Sequence, residues 1–344
     1  MRYADSAEQE AWRHEVRAFV RRHVTPALRA ELRASGNEGE GPLARAFHRQ
    51  LFDKGWWGIG WPQEFGGLGK SAVDQYIFIE EMEAAGAPGM RLSITSVAPT
   101  IRRVGTEEQK QRWLPPILHG DIDFAIGYSE PDAGKHKGVS LLIVPMDRPG
   151  ITVQGLDTWS GIRTNAVFFE DVRVPRDHLI GERGNGFYYV MMALDFERIT
   201  LGSTGLLRRL LEELKTFVRR TIRDGRQLGA VPWVRRALAD LEMRVEVGRQ
   251  LGLLNAWLID QGIVPTKEGS IAKVYVTELN ARLSSVGMEI LGLAGQLAPD
   301  DPAAPLHGRL QWLYTTAPLQ RFGGGTNEIQ RCIIAQRGLG LPRK

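Results

Sequence analysis

The stretch between residues 205 and 290 limits what this chain can fold into more than any other. Leu207, Leu210, Leu211, Leu214 and Phe217 recur at three- and four-residue spacing, the period that lines one face of an α-helix. Leu238, Leu241, Val245 and Leu258 predict a second long helix, and Ile271, Val274, Leu283, Val286 and Ile290 a third. Each stripe must be buried against another apolar face. Long helices with short connections do this most simply as a bundle. A chain of 344 residues has room for two or three domains and a large core.

Helical signals also dominate the N-terminal third. Ser6 with Gln9 forms a capping-box pattern, followed by Trp12, Val16, Phe19 and Val20 at helical spacing. Pro26 ends or kinks that helix. The polar, glycine-bearing stretch 31–43 reads as a loop, and Phe47, Leu51 and Phe52 as a second helix. Pro62 forces Trp61 away from helical geometry. A helix is expected from about Val73 to Ala85. Thr106 and Gln109 form another capping box, ahead of a short helix expected to end near Pro115-Pro116. The pattern changes near residue 123. Asp123 to Ser129, Val139 to Val144, Ile151 to Val153 and Val167 to Val174 are short runs rich in β-branched and aromatic residues, parted by Pro and Gly, and read as strands. From about Gly186 the chain is helical again. The fold class is therefore mostly α: an N-terminal helical domain (1–122), a small β-domain (123–183) and a C-terminal four-helix bundle (184–344).

Composition removes several functions. Hydrophobic content of 43% and charged content of 24% are ordinary for a soluble globular protein. The net charge of +4 suits a polyanionic ligand, but no basic run with interleaved aromatics points to nucleic acid. No window is long and apolar enough for a membrane span, and no signal stretch opens the chain. The single cysteine, Cys332, forbids an intrachain disulfide and points to a cytoplasmic protein; beside Ile333 and Ile334 it reads as packing. The seven histidines lack metal-ligand spacing, and His136 reads as a loop residue.

Three motifs carry candidate chemistry: Tyr128-Ser129-Glu130-Pro131, Asp195-Phe196-Glu197-Arg198, and Phe322-Gly323-Gly324-Gly325-Thr326-Asn327-Glu328. Read alone, the second is a helix start whose carboxylates serve the dipole, with Arg198 as an ordinary ion-pair partner. The third is a glycine-rich helix entry with Thr326 as N-cap; its glycines allow close backbone approach to a ligand, and amides at a helix start suit an anion. Taken together and in this order, the motifs resemble the acyl-CoA dehydrogenase family over nearly the whole chain.

The resemblance implies an FAD flavoprotein that dehydrogenates an acyl-CoA thioester. Many members carry a carboxylate base just before the Gly-Thr of the C-terminal loop, where this chain has Gly324; others carry it at the position of Glu197. Glu197 is thus the implied catalytic base. The amide of Gly324, with a flavin ribityl hydroxyl, is implied to polarise the thioester carbonyl. Asp195 is implied to touch the pantetheine arm, with Arg198 supporting it. Tyr128 and Ser129 match positions beside the flavin ring, and Thr326 and Glu328 match contacts to the flavin nucleotide. Ile290 to Gly295 resembles the loop that takes the adenosine half of FAD from a neighbouring subunit, through Gly292 and Gly295, although Glu289 stands where glutamine is usual. In the segment that normally reads Arg, two residues, Phe-Gly, this chain has Gly225 and Leu228; Arg226 or Arg223 is left to meet the pyrophosphate. An electron-transfer flavoprotein as acceptor and a homo- or hetero-oligomer, a dimer of dimers, are implied as partners.

One departure is large. After Ala133-Gly134 the family adds several strands, whereas Lys135-His136-Lys137-Gly138 leads directly to the pattern beyond them. The loss is on the order of 50 residues, the length of several strands with their turns. Two other functions share this frame: a degenerate subunit supporting an active paralogue, and an acyl-CoA oxidase or flavin monooxygenase.

Overall fold

The computed structural model describes residues 5–34, 41–124, 139–191, 202–299 and 301–342. They divide into two compact units. One gathers the described residues of Met1–Phe47, Ser71–Gly89 and Arg198–Lys344, the other those of His48–Lys70 and Met90–Glu197.

In the first unit, α1 (Ala7–His23) starts at the expected capping box and buries Trp12, Val16, Phe19 and Val20. α2 (Pro26–Ala34) opens on Pro26 at its first position, where no amide is needed. The expected loop over 31–43 is therefore too long: residues 31–34 are helical, because Leu28 and Leu32 bury one face, and α3 (Pro42–Asp53) begins at Pro42. α4 (Ala72–Ala85) has a second set of N-terminal caps. Ser71 and Asp74 form a capping box, and Asp260 accepts from the amides of Ala72 (2.6 Å) and Val73 (3.2 Å). α4 packs against α1, and Arg13 crosses between them to Glu80 and Glu81, 2.7 Å to each.

The bundle follows. α7 (Gly205–Arg220), α8 (Pro232–Asp260), α9 (Thr266–Leu291) and α10 (Arg309–Phe322) surround a core that includes Leu210, Leu214, Leu241, Leu283, Leu310 and Leu313, none more than 1% exposed. Ile271 is the exception among the stripe residues; it is 37% exposed and lies off the buried face. α11 (Asn327–Ile333) packs on α9.

The second unit holds α5 (Ala98–Val104), entered through a π-turn at Ser93–Val97, and α6 (Glu107–His119). α6 does not stop at Pro115-Pro116. It runs through both to a left-handed Gly120, because Leu114, Ile117 and Leu118 are buried on one face and their packing outweighs the lost hydrogen bonds. The strands differ from expectation: the run at Val139–Val144 is shorter, that at Ile151–Val153 extends to Asp157, and that at Val167–Val174 is shifted. β1 (Leu141–Leu142) pairs antiparallel with β4 (Leu179–Ile180), and β2 (Ile151–Asp157) with β3 (Arg163–Phe169). β3 thus ends where Val167 to Val174 was expected to continue; Asp171 sits at φ 52° and turns the chain. Asp123 and Phe124 are not in a strand, and residues 125–129 of that expected run lie outside the described residues. Among the described residues the strands form only two-stranded pairs.

Candidate active site

The glycine-rich loop is described in full. α10 ends at Gly323, whose amide bonds the Leu319 carbonyl at 3.0 Å. Gly324 and Gly325 then take φ values of 66° and 90°, which side chains strongly disfavour. Thr326 caps α11 by accepting from the Ile329 amide at 3.2 Å. The loop carbonyls turn inward onto fixed donors. Gln330 Nε2 donates to the Gly324 carbonyl (3.1 Å), and Lys273 Nζ donates to the carbonyls of Arg321 and Gly325, 2.9 Å each. Lys273 also donates to Asn327 Oδ1 at 2.7 Å, and Asn327 Nδ2 donates to Thr277 Oγ1 at 3.1 Å. In a trans peptide the N–H lies opposite the C=O, so inward carbonyls at Gly324 and Gly325 turn the next amides, of Gly325 and Thr326, the other way. Glu328 is exposed in the first turn of α11; its own backbone amide and the Thr326 hydroxyl lower its pKa. Ile329 and Cys332 are both exposed, so the reading of Cys332 as packing is overturned: it lies on the outer side of a short helix that buries Asn327 and Gln330 instead.

A second cluster lies where α9 ends. Gly292 takes φ 70° and starts a short turn in which Gly295 is buried. The Arg223 guanidinium donates to the Leu291 carbonyl at 3.0 Å and lies 3.6 Å from where a side chain on Gly292 would begin. Arg226 is exposed on the facing strand of the hairpin β5 (Ile222–Arg223) and β6 (Arg226–Gln227). The hairpin explains the altered motif. Asp224 and Gly225 both have positive φ, 52° and 73°, as a two-residue primed turn requires, so arginine at position 225 would be strained. Leu228 is buried in the bundle core.

Tyr128, Ser129, His136, Asp195, Glu197 and Arg198 lie outside the described residues. The chain that follows Arg198 is described from Gly202 onward, and it is tightly held. Ser203 Oγ donates to Glu83 Oε2 at 2.6 Å, and the Leu206 amide lies 3.4 Å from the same oxygen. Glu83 has its pKa raised to about 7, first by burial, with the nearby charge of Glu80 adding to it. A Cβ on Gly248 would stand 2.8 Å from the Thr204 methyl, and one on Gly252 would stand 2.7 Å from the Gly202 carbonyl. Glycines on α8 thus let segment 202–205 lie directly on that helix. Two residues that sequence reading missed matter here: Lys273 and Glu83. Only burial distinguishes them from the many surface charges.

This loop and the αL turn after α9 are both carried by one helical bundle, and comparison with known proteins gives the family. Residues 6–121 match the acyl-CoA dehydrogenase N-terminal domain, and residues 184–339 the acyl-CoA dehydrogenase C-terminal domain. The chain belongs to the acyl-CoA dehydrogenase family, whose members are FAD flavoproteins. It is 35% identical to acyl-CoA dehydrogenase FadE26 of Mycobacterium tuberculosis, covering 100% of this chain and 99% of the relative, and 30% identical to FadE29 of the same organism, covering 98% and 97%. The FadE26 alignment runs over 401 residues against a chain of 344, so at least 57 of its positions (401 less 344) have no residue here. Among solved structures, it matches the ChsE4–ChsE5 complex of M. tuberculosis at TM-score 0.90 and 35% identity, over 100% of both chains. It matches the Tcur3481–Tcur3483 steroid ACAD at TM-score 0.90 and 32% identity, again over 100% of both. No described helix is long and apolar enough to cross a membrane.

The described residues fit the family's cofactor at one point. The atoms nearest to where a side chain on Gly292 would begin are those of the Arg223 guanidinium, and Arg226 is exposed on the facing strand; guanidiniums beside a glycine suit a diphosphate.

Proposed function

We propose that this chain dehydrogenates an acyl-CoA thioester at its α,β-carbons with FAD as cofactor, and that Glu197 is the catalytic base. The observation that carries this reading is the shape of the glycine-rich loop. It offers backbone amides but no carboxylate at Gly324, which leaves Glu197 as the residue in the family's other base position. The α-proton of a thioester is weakly acidic, so a carboxylate facing an apolar acyl chain, with its pKa raised by desolvation, makes an effective base. As Glu197 takes that proton, negative charge develops on the thioester oxygen. The Gly324 amide meets it with a dipole already in place. Asp195 orients the pantetheine arm and Arg198 supports it. When bound, FAD would supply the hydride-accepting chemistry for the β-hydrogen. Tyr128, Ser129, Thr326, Glu328, Gly292 and Gly295 hold it, with Arg223 and Arg226 at the diphosphate in place of the arginine lost at Gly225. An electron-transfer flavoprotein is the acceptor in this reading.

Residues 1–122, 123–183 and 184–344 form the three domains in this reading, and the two family matches fall inside the first and the last. A structural likeness described as a steroid ACAD favours a bulky acyl group over a short fatty one. Two of the likenesses are complexes of two named proteins, which favours a hetero-oligomer. A second reading, a subunit that supports an active paralogue without turnover of its own, is favoured by Gly225 and Leu228 standing where the family has arginine and phenylalanine, and by the positions missing relative to FadE26. The test is Glu197→Gln assayed with a panel of acyl-CoAs. We expect turnover to fall by roughly a thousandfold or more with flavin content unchanged. Equal turnover by the variant would place the base elsewhere. Turnover that requires oxygen as acceptor would shift the reading to an oxidase or monooxygenase.

A further inference from the structure

We infer that Lys273 is the positioning residue of the proposed oxyanion-binding loop: its buried ammonium, fixed by one oxygen of the loop and one on each flanking helix, holds the loop and its amides in one orientation. The inference rests on the proposed dehydrogenase reading for its catalytic consequence, but its structural content does not.

A run of three glycines has more backbone freedom to lose than any other tripeptide, so this loop does not hold itself. An amide dipole lowers a barrier only if it is already aimed when charge develops. Something outside the loop must therefore fix it. Lys273 lies on α9 and is 1% exposed. Its Nζ reaches the Arg321 carbonyl in the last turn of α10 (2.9 Å), the Gly325 carbonyl in the loop (2.9 Å) and Asn327 Oδ1 in the first turn of α11 (2.7 Å). One ammonium has three protons, and all three are used. The three acceptors lie before, within and after the glycine run, so a single group sets both ends of the loop and its middle.

The arrangement is mutually conditional. All three acceptors are uncharged, and burial lowers the Lys273 pKa. An ammonium in this position is stable only while those oxygens face it. If the loop swings out, the charge is left unsolvated, which penalises every alternative loop conformation. Arg321 adds to this: its carbonyl is one of the orphans at the C-terminus of α10, where a cation is favoured by the helix dipole. Gln330 holds the Gly324 carbonyl independently at 3.1 Å, so loss of Lys273 loosens the loop without releasing it altogether.

The test compares Lys273→Met with Leu283→Ala, a core change on the same helix, in the full-length protein. Three quantities are measured: amide hydrogen exchange, thermal midpoint, and kcat and KM separately. For Lys273→Met we expect exchange across residues 321–327 to quicken about tenfold or more while the middle of α9 stays protected, and kcat to fall about tenfold or more with a smaller change in KM. Leu283→Ala should lower the thermal midpoint without a loop-specific change in exchange and with kcat nearly kept. A Lys273→Met protein whose loop exchanges like wild type, or which behaves as Leu283→Ala does, overturns the inference. Should Lys273→Met fail to fold, Asn327→Ala removes one of the three acceptors, and the same exchange pattern is expected at smaller size; unchanged loop exchange there overturns it equally. If wild-type protein turns over no acyl-CoA, the dehydrogenase reading fails, and the exchange measurement still decides the role of Lys273.

Discussion

Glu83 shows how a single side chain couples the fold to pH. Its carboxylate accepts from Ser203 and faces the start of α7, yet burial and the charge of Glu80 raise its pKa to about 7. The folded protein therefore holds a proton that the unfolded chain releases near 4.5. The contribution to stability is fully present below about 4.5, declines as pH rises towards 7, and is lost above it. Glu83→Gln keeps an acceptor for Ser203 but cannot ionise. It should be more stable than wild type at pH 8 by about 2 kcal/mol and nearly equal at pH 5, as read from urea midpoints. An equal gain at both values would show that Glu83 is ionised throughout. The glycine-rich loop was legible at this scale because a glycine run ahead of a Thr N-cap is a local pattern; the Glu-Arg pair is equally local in sequence but lies outside the described residues. Lys273 and Glu83 were not legible, since a charged residue in a helical window reads as solvated unless tertiary burial is known. Gly225 read as a simple loss; the structure shows a turn that needs it.

Elements were legible in proportion to their periodicity. The bundle helices and the capping boxes at Ser6 and Thr106 follow from 3.6-residue spacing and local side-chain bonds, whereas the box at Ser71, closed by Asp74 rather than Glu or Gln, was not read. The strands were shifted because residues 163–174 do not alternate, and β2–β3 stands as a lone pair with Val153, Phe168 and Phe169 each at least half exposed. The double proline in α6 misled because local propensity yields to packing there. How elements approach each other was not legible at all. Gly252 lies mid-helix in α8, where propensity alone favours alanine by about 1 kcal/mol. In the fold a Cβ there would stand 2.5 Å from the Tyr76 ring and 2.7 Å from the Gly202 carbonyl. Backbone cannot yield as a side chain can, so Gly252→Ala should destabilise the protein by about 1–3 kcal/mol, measured by chemical unfolding. A stabilised variant would show that α4 and the 202–205 segment do not approach α8 so closely.

At the scale of the whole molecule, family membership rests on matches over residues 6–121 and 184–339, which leave residues 122–183 between them. Positions absent relative to FadE26 number at least 57 (401 less 344), and the described strands pair only two by two. Edges left open in this way need a partner chain or a local cover. The loop proposed to meet the thioester and the helix end proposed to meet the diphosphate are both built on the bundle, so the account predicts that the cofactor binds despite the shorter chain. The measurement that tests this most directly is the visible absorbance spectrum of the purified protein, taken before and after anaerobic addition of acyl-CoAs. Flavin bands that bleach with one thioester are the predicted result. A colourless protein that takes up no added FAD would contradict the account and leave the chain as a supporting subunit.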